Sequence, residues 1–151
     1  MNINYKKQEE FNKMSIHSEE AKELFLEGYN CSQAVLATFS EKYSMSKAQA
    51  LSIACGFGAG VRAGEICGAV SGAVLVIGLK YGADKITCYE KTVEFNNSFR
   101  QKNGYIVCRD LLGYDISTEV GMNTAKEKGL FKTTCVDMVT NAVEILERLD
   151  Y

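Results

Sequence analysis

The sequence predicts an all-α fold, a compact single-domain bundle of about six helices around a buried central helix rich in glycine and alanine. Three observations point there. The 151 residues include no proline, so nothing breaks a helix from within. Apolar residues recur at three- and four-residue spacing rather than in strict alternation. One stretch, "ICGAVSGAVLVIGL" over residues 66–79, is apolar on every side, as a helix enclosed by others should be. A polar N-terminal segment, residues 1–17, leads into a helical domain over residues 18–151, with no linker, repeat or low-complexity stretch to divide it.

Each element has a local cause. Residues 18–27 form the first helix, with Leu24 and Phe25 among its apolar positions and Gly28 as its stop. In "NCSQAVLATFSEKY", Asn30 is a good N-cap and Gln33 falls where a capping box needs it, so Cys31 opens the second helix. Cys31, Ala34, Val35 and Thr38 then share a stripe. Residues 46–55 give the third helix, which ends in the glycines of "GFGAG". The apolar run is the fourth, and there Gly68 with Gly72 and Ala69 with Ala73 leave shallow faces for close helix packing. Residues 84–103 give the fifth, capped by Asp84 and stopped by Gly104. "VCRDLLG" is a single turn and "DISTEVGMNTAKEKG" an irregular or short helical excursion. Residues 133–149 form the sixth helix, with Thr134 and Asp137 as a cap pair and Cys135 in the first turn.

Composition narrows the function. With 17 basic and 19 acidic residues the formal net charge is -2, and no strong field favours nucleic acid or an anionic membrane. The apolar run falls short of the ~20 residues that span a bilayer. The polar N-terminus lacks a secretory signal, so a cytoplasmic, reducing location is expected. In that setting the six cysteines read as thiols, redox centres or ligands rather than permanent disulfides.

Placement sorts those cysteines. Cys31, Cys67 and Cys135 stand at predicted helix starts and Cys108 at the start of the single turn, where free backbone N–H groups favour a thiolate. Cys55 follows Leu51 by one turn and Cys88 shares a face with Phe95 and Phe99, so both read as core residues. No Cys-x-x-Cys pair occurs, which disfavours zinc ribbons and thioredoxin-type sites. A shared site would have to be assembled from distant helices.

The segments "GYNCSQAV", "ICGAVSGAVLVIGLKYG", "CRDLLG" and "TTCVDMVTNAVEIL" together resemble the redox-active protein family named for its cysteine pattern, C_GCAxxG_C_C. The likeness runs over residues 18–149. Cys31, Cys67, Cys108 and Cys135 match the family's four cysteines in order, although here the motif glycine, Gly68, follows Cys67 instead of preceding it. The resemblance implies a small helical protein whose four cysteines serve redox chemistry or bind a metal centre.

Two redox readings follow, beside a structural one. As metal ligands, Cys31, Cys67, Cys108 and Cys135 would hold an iron–sulfur cluster or zinc, with Arg62 and Arg109 offsetting the thiolate charge and Gly68 adjoining the site. As redox thiols without a cofactor, two of the four would cycle between thiol and disulfide, one attacking and one resolving. The alternative is a non-catalytic helical interaction module with buried thiols or structural zinc. The partner expected is a redox partner that the sequence does not name, with a homodimer allowed.

Other motifs are weak. Gly58, Gly60 and Ala63 fit a dinucleotide fingerprint with Asp84 as the ribose acid, but the preceding "SKAQALSIACGF" reads as helix, not strand. His17, the sole histidine, has no neighbouring nucleophile and reads as a surface residue. The paired acids Glu9 with Glu10 and Glu19 with Glu20 read as solvated helix faces.

Overall fold

The computed structural model describes residues 14–151. Most of the segment expected over residues 1–17, with Glu9 and Glu10, therefore lies outside the described residues. The described chain is helical: α1 Ile16–Leu26, α2 Cys31–Ser40, α3 Lys47–Ile53, α4 Gly68–Tyr81, α5 Lys85–Asn103, α6 Cys108–Leu112, α7 Glu119–Glu127 and α8 Thr134–Arg148. Eight α-helices stand where about six were expected, because the single turn and the excursion after it each qualify as helices. Strand pairing among the described residues is confined to one antiparallel bridge between Ile66 and Val107.

Caps explain most boundaries. Asn30 and Gln33 make the expected reciprocal capping box before Cys31, and Ser46 and Gln49 make another before α3. Asp84 accepts from the backbone N–H groups of Ile86 and Thr87 at the head of α5. Two helix starts are capped differently from expectation. The first helix begins earlier, since Ser15 accepts from the Ser18 N–H and so draws Ile16 and His17 into α1. At α8 the N-cap is Thr133, without a side-chain cap bond, in place of the Thr134–Asp137 pair. The Thr133 hydroxyl instead donates to the carbonyl of Gly129, so it closes the preceding turn.

The core gathers Val35, Leu36 and Phe39 of α2, Val70, Val76 and Ile77 of α4, Phe95 and Phe99 of α5, and Val139, Val143 and Leu146 of α8. Each such side chain contributes about 1.5–3 kcal/mol by leaving water. Helix α2 packs on α1, α3, α4 and α8, whereas α4 packs on α2, α5 and α8. The widest of these interfaces joins α2 to α4. It closes because α4 presents glycine there.

A Cβ added at Gly72 would stand 2.7 Å from the Ser32 carbonyl oxygen and 3.0 Å from its Cα. At Gly68 it would stand 3.1 Å from the Cys31 Cβ and 3.2 Å from the Ser32 nitrogen. These two glycines set the heads of α2 and α4 together and, with them, Cys31 near Cys67. Gly72→Ala is therefore expected to force backbone apart and destabilise the protein by about 1–3 kcal/mol. A thermal melt checks this, and an unchanged Tm would contradict the packing described.

Candidate functional site

Cys31 is the first residue of α2 and Cys135 the second of α8. Their thiols interact, with opposite effects on the two. That interaction is the largest cause holding the Cys31 proton in place, and burial and the charges of Cys67, Cys135 and Cys108 push the same way, so its pKa rises well above the ordinary thiol value. The same interaction brings the Cys135 pKa down, against the opposing effect of burial. Of the pair, Cys135 gives up its proton the more readily.

Cys67 and Cys108 are brought together differently. The Cys67 N–H donates to the Ile106 carbonyl at 2.8 Å, and the Cys108 N–H donates to the Glu65 carbonyl at 2.6 Å. These bonds flank the Ile66–Val107 bridge and lay the head of α4 beside the head of α6. Because side chains alternate along extended backbone, Cys67 and Cys108 project to the same side of that bridge. Both are buried. Burial lifts Cys67 to about 11 against the pull of the Ala69 and Val70 N–H groups. Burial, then the charges of Cys67 and Cys135, lifts Cys108 to about 12.

Helix-start placement thus identified four cysteines that converge, but its thiolate argument holds in direction only at Cys135, where the cause is Cys31. At Cys67 desolvation outweighs the N–H groups of the helix head, at Cys108 desolvation leads, and at Cys31 the Cys135 thiol does. All four cysteines line one cavity of about 760 Å³, together with Arg62, Gly68 and Cys55. Phe25, Met122, Phe131 and Met138 supply apolar wall, and Lys126 and Lys132 add charge. Arg109 is not among the lining residues. Its guanidinium pairs with Glu65 at 2.7 Å.

Ala59, Gly60, Val61 and Arg62 have φ values of 53°, 61°, 59° and 58°, one turn of left-handed backbone. Non-glycine residues pay roughly 1–2 kcal/mol each for this conformation. The Glu65 N–H bond to the Gly60 carbonyl at 3.1 Å and the bridge beyond it hold the turn. It carries Arg62 to the cavity and reverses the chain toward Cys67. Gly58, Gly60 and Ala63 thus serve a turn that follows helix rather than strand, and no nucleotide-binding βαβ unit is formed among the described residues.

Cys55 corrects the sequence reading. It is exposed, not core, because α3 ends at Ile53 and the chain tightens into a 3₁₀ turn over Cys55–Phe57. Its carbonyl accepts from the Asn30 side chain at 2.9 Å, which ties it to the head of α2. Cys88 is partly buried and packs against the core as expected. His17 stacks on Phe39 with ring centroids 5.2 Å apart and meets Glu147 at 3.1 Å, outside the cavity wall. Native protein treated with N-ethylmaleimide is expected to lose the Cys55 thiol first, and Cys67 and Cys108 only on unfolding. Peptide mapping gives the order, and early labelling of Cys67 or Cys108 would contradict the burial described.

Sequence reasoning missed Lys126, Lys132, Cys55 and the bridge that joins Cys67 to Cys108. Only Lys132 left a trace, three positions before Cys135 in "KTTC". As a donor set, four thiols suit an iron–sulfur cluster or zinc. Their placement does not yet fit one, since no three His, Cys, Asp or Glu side chains among the described residues are grouped to hold a metal ion.

No helix among the described residues is long and apolar enough to cross a membrane. Comparison with curated proteins gives no match, and none of the solved structures matches. A family model does match, over residues 29–149, and its description is "Putative redox-active protein (C_GCAxxG_C_C)". The matched span holds Cys31, Cys67, Cys108 and Cys135, and the chain belongs to the C_GCAxxG_C_C family.

Proposed function

We propose that the protein is a thiol–disulfide oxidoreductase of the reducing cytoplasm, with Cys135 as attacking thiolate and Cys31 as resolving thiol. The pairing of these two thiols in one cavity, with opposite shifts in their acidity, carries the reading. It supplies what exchange needs: a nucleophile ionised more readily than an ordinary thiol, and a second sulfur in contact with the first.

The step balances without a cofactor. Cys135 Sγ⁻ attacks one sulfur of a disulfide R–S–S–R, forming Cys135–S–S–R and expelling RS⁻. Cys31 gives its proton to that thiolate and attacks Cys135 Sγ, expelling the second RS⁻. The protein loses two electrons and becomes the Cys31–Cys135 disulfide, and the substrate becomes RSH and RS⁻. Cys67 and Cys108, protonated well above neutrality, keep the cavity from filling with negative charge.

A metal-centre reading rests on the donor set alone. Cys31, Cys67, Cys108 and Cys135 would be the ligands of an iron–sulfur cluster or zinc, which would supply electron transfer or structural cross-linking, and the sulfurs would have to draw closer. Anaerobic purification with metal analysis and a visible spectrum, followed by thiol counting in glutathione redox buffers, separates the two. Exchange predicts a reversible loss of two thiols, mapped to Cys31 and Cys135, in metal-free protein. Iron with acid-labile sulfide and charge-transfer bands would favour the cluster instead. Unreactive thiols and no metal would leave a helical interaction module.

A further inference from the structure

Thiol exchange uses only part of the cavity. At about 760 Å³ it falls within the ~300–1,000 Å³ common for small organic ligands, far more than two sulfurs and a reacting bond require. Its charge is of one sign. Arg62, Lys126 and Lys132 line it, and no Asp or Glu does. In a chain with 19 acidic and 17 basic residues, that segregation calls for a ligand.

The three cations are exposed, and among the described residues none has a carboxylate within ion-pair distance. They also come from three separate elements: the left-handed turn, α7, and the 3₁₀ turn Leu130–Lys132 that leads into α8. Below them lie buried Cys67, Cys108 and Cys135, with Leu112 and Ile116. The opening is cationic and the floor is apolar and sulfur-lined. A bare inorganic anion would leave that floor unfilled, and a neutral hydrocarbon would gain nothing from the cations.

We propose that the cavity binds a small organic carboxylate with an apolar body, its charged end among Arg62, Lys126 and Lys132 and its apolar end toward Cys67, Cys108 and Cys135. The proposal rests on the exchange reading only for the reacting group. With it, the substrate is an anionic disulfide carrying a hydrocarbon arm.

Two ligand pairs test this on the full chain. Octanoate and octanamide differ in charge and carry no sulfur, so calorimetric titration of each reads the cavity without any redox step. Octanoate is expected to bind about tenfold tighter at low salt, three modest charge contacts being enough. The preference should vanish in the Arg62→Gln, Lys126→Gln, Lys132→Gln triple variant, with folding checked by circular dichroism. Lipoate and lipoamide carry the same cyclic disulfide with and without the charge, and lipoate is expected to oxidise the Cys31–Cys135 pair faster by a similar factor. Equal affinity for octanoate and octanamide, or a preference that survives in the folded triple variant, overturns the proposal. If octanoate is preferred but neither lipoate nor lipoamide is reduced, the exchange reading fails and the carboxylate site stands.

Discussion

Cys135→Ser is expected to abolish disulfide exchange, lowering the rate at least about a thousandfold, whereas Cys31→Ser stops the reaction halfway. Both outcomes follow from the pairing of the two thiols. Serine at position 135 provides a hydroxyl, which cannot ionise near neutrality, so no first attack occurs. With Cys31 replaced, Cys135 still attacks, but no second sulfur resolves the product and a mixed disulfide with glutathione accumulates at Cys135. Intact-mass spectrometry after exposure to oxidised glutathione distinguishes the two. A second comparison isolates the effect of the Cys31 thiol. Cys31→Ala removes the donor that lowers the Cys135 pKa, so the pH profile for mixed-disulfide formation should shift to higher pH. Cys31→Ser keeps a hydroxyl donor and should shift less. Cys135→Ser at the wild-type rate would end the assignment.

What the sequence revealed of this site depends on how far apart the interacting groups are. The Asn30–Gln33 box and the Asp84 cap were legible because each partner lies within three residues of the group it satisfies. Those caps fixed Cys31 at a helix head and bounded α5. The resemblance and the helix starts together named four of the five cysteines that line the cavity. The reason for their closeness was hidden. Cys67 and Cys108 meet through the Ile66–Val107 bridge, a pairing too short to leave an alternating pattern in either segment.

Electrostatic roles were less legible still. Arg109 is next to Cys108 in sequence, yet its partner is Glu65, while Lys126 is distant in sequence from Cys31, Cys67 and Cys108 and lines the same wall. Cys55 looked like core because a helix extended through it would bury one face, but α3 stops at Ile53. In each case the local rule was sound and the deciding neighbour came from another element. Desolvation is the clearest example, since no sequence rule measures how much water a thiol loses.

That desolvation makes the second large effect one of stability. Folding strength is expected to fall by several kcal/mol between about pH 9 and pH 11. In the unfolded chain Cys67 and Cys108 ionise near the ordinary value of 9.0, while in the folded protein they resist until about 11 and 12. A folded-state pKa above the unfolded one gives stability that is fully present below the unfolded value and is lost as pH rises through the folded value. Cys31 shifts in the same direction. Cys135, with a lowered pKa, acts oppositely: its contribution is present above the unfolded value and disappears as pH falls through the folded one. The three raised thiols outweigh it on the alkaline side.

For Cys67 and Cys108 alone the loss is on the order of 5 kcal/mol, since each tenfold change in an ionisation constant between the folded and unfolded chain is worth about 1.4 kcal/mol. Urea unfolding at a series of pH values measures it, with the Cys67→Ala, Cys108→Ala double variant as control. That variant begins less stable, because two buried side chains are truncated, yet its stability should vary much less with pH from 9 to 11. Equal slopes for the two proteins would mean that these thiols do not carry the alkaline transition, and that the floor of the cavity is wetter than its burial indicates.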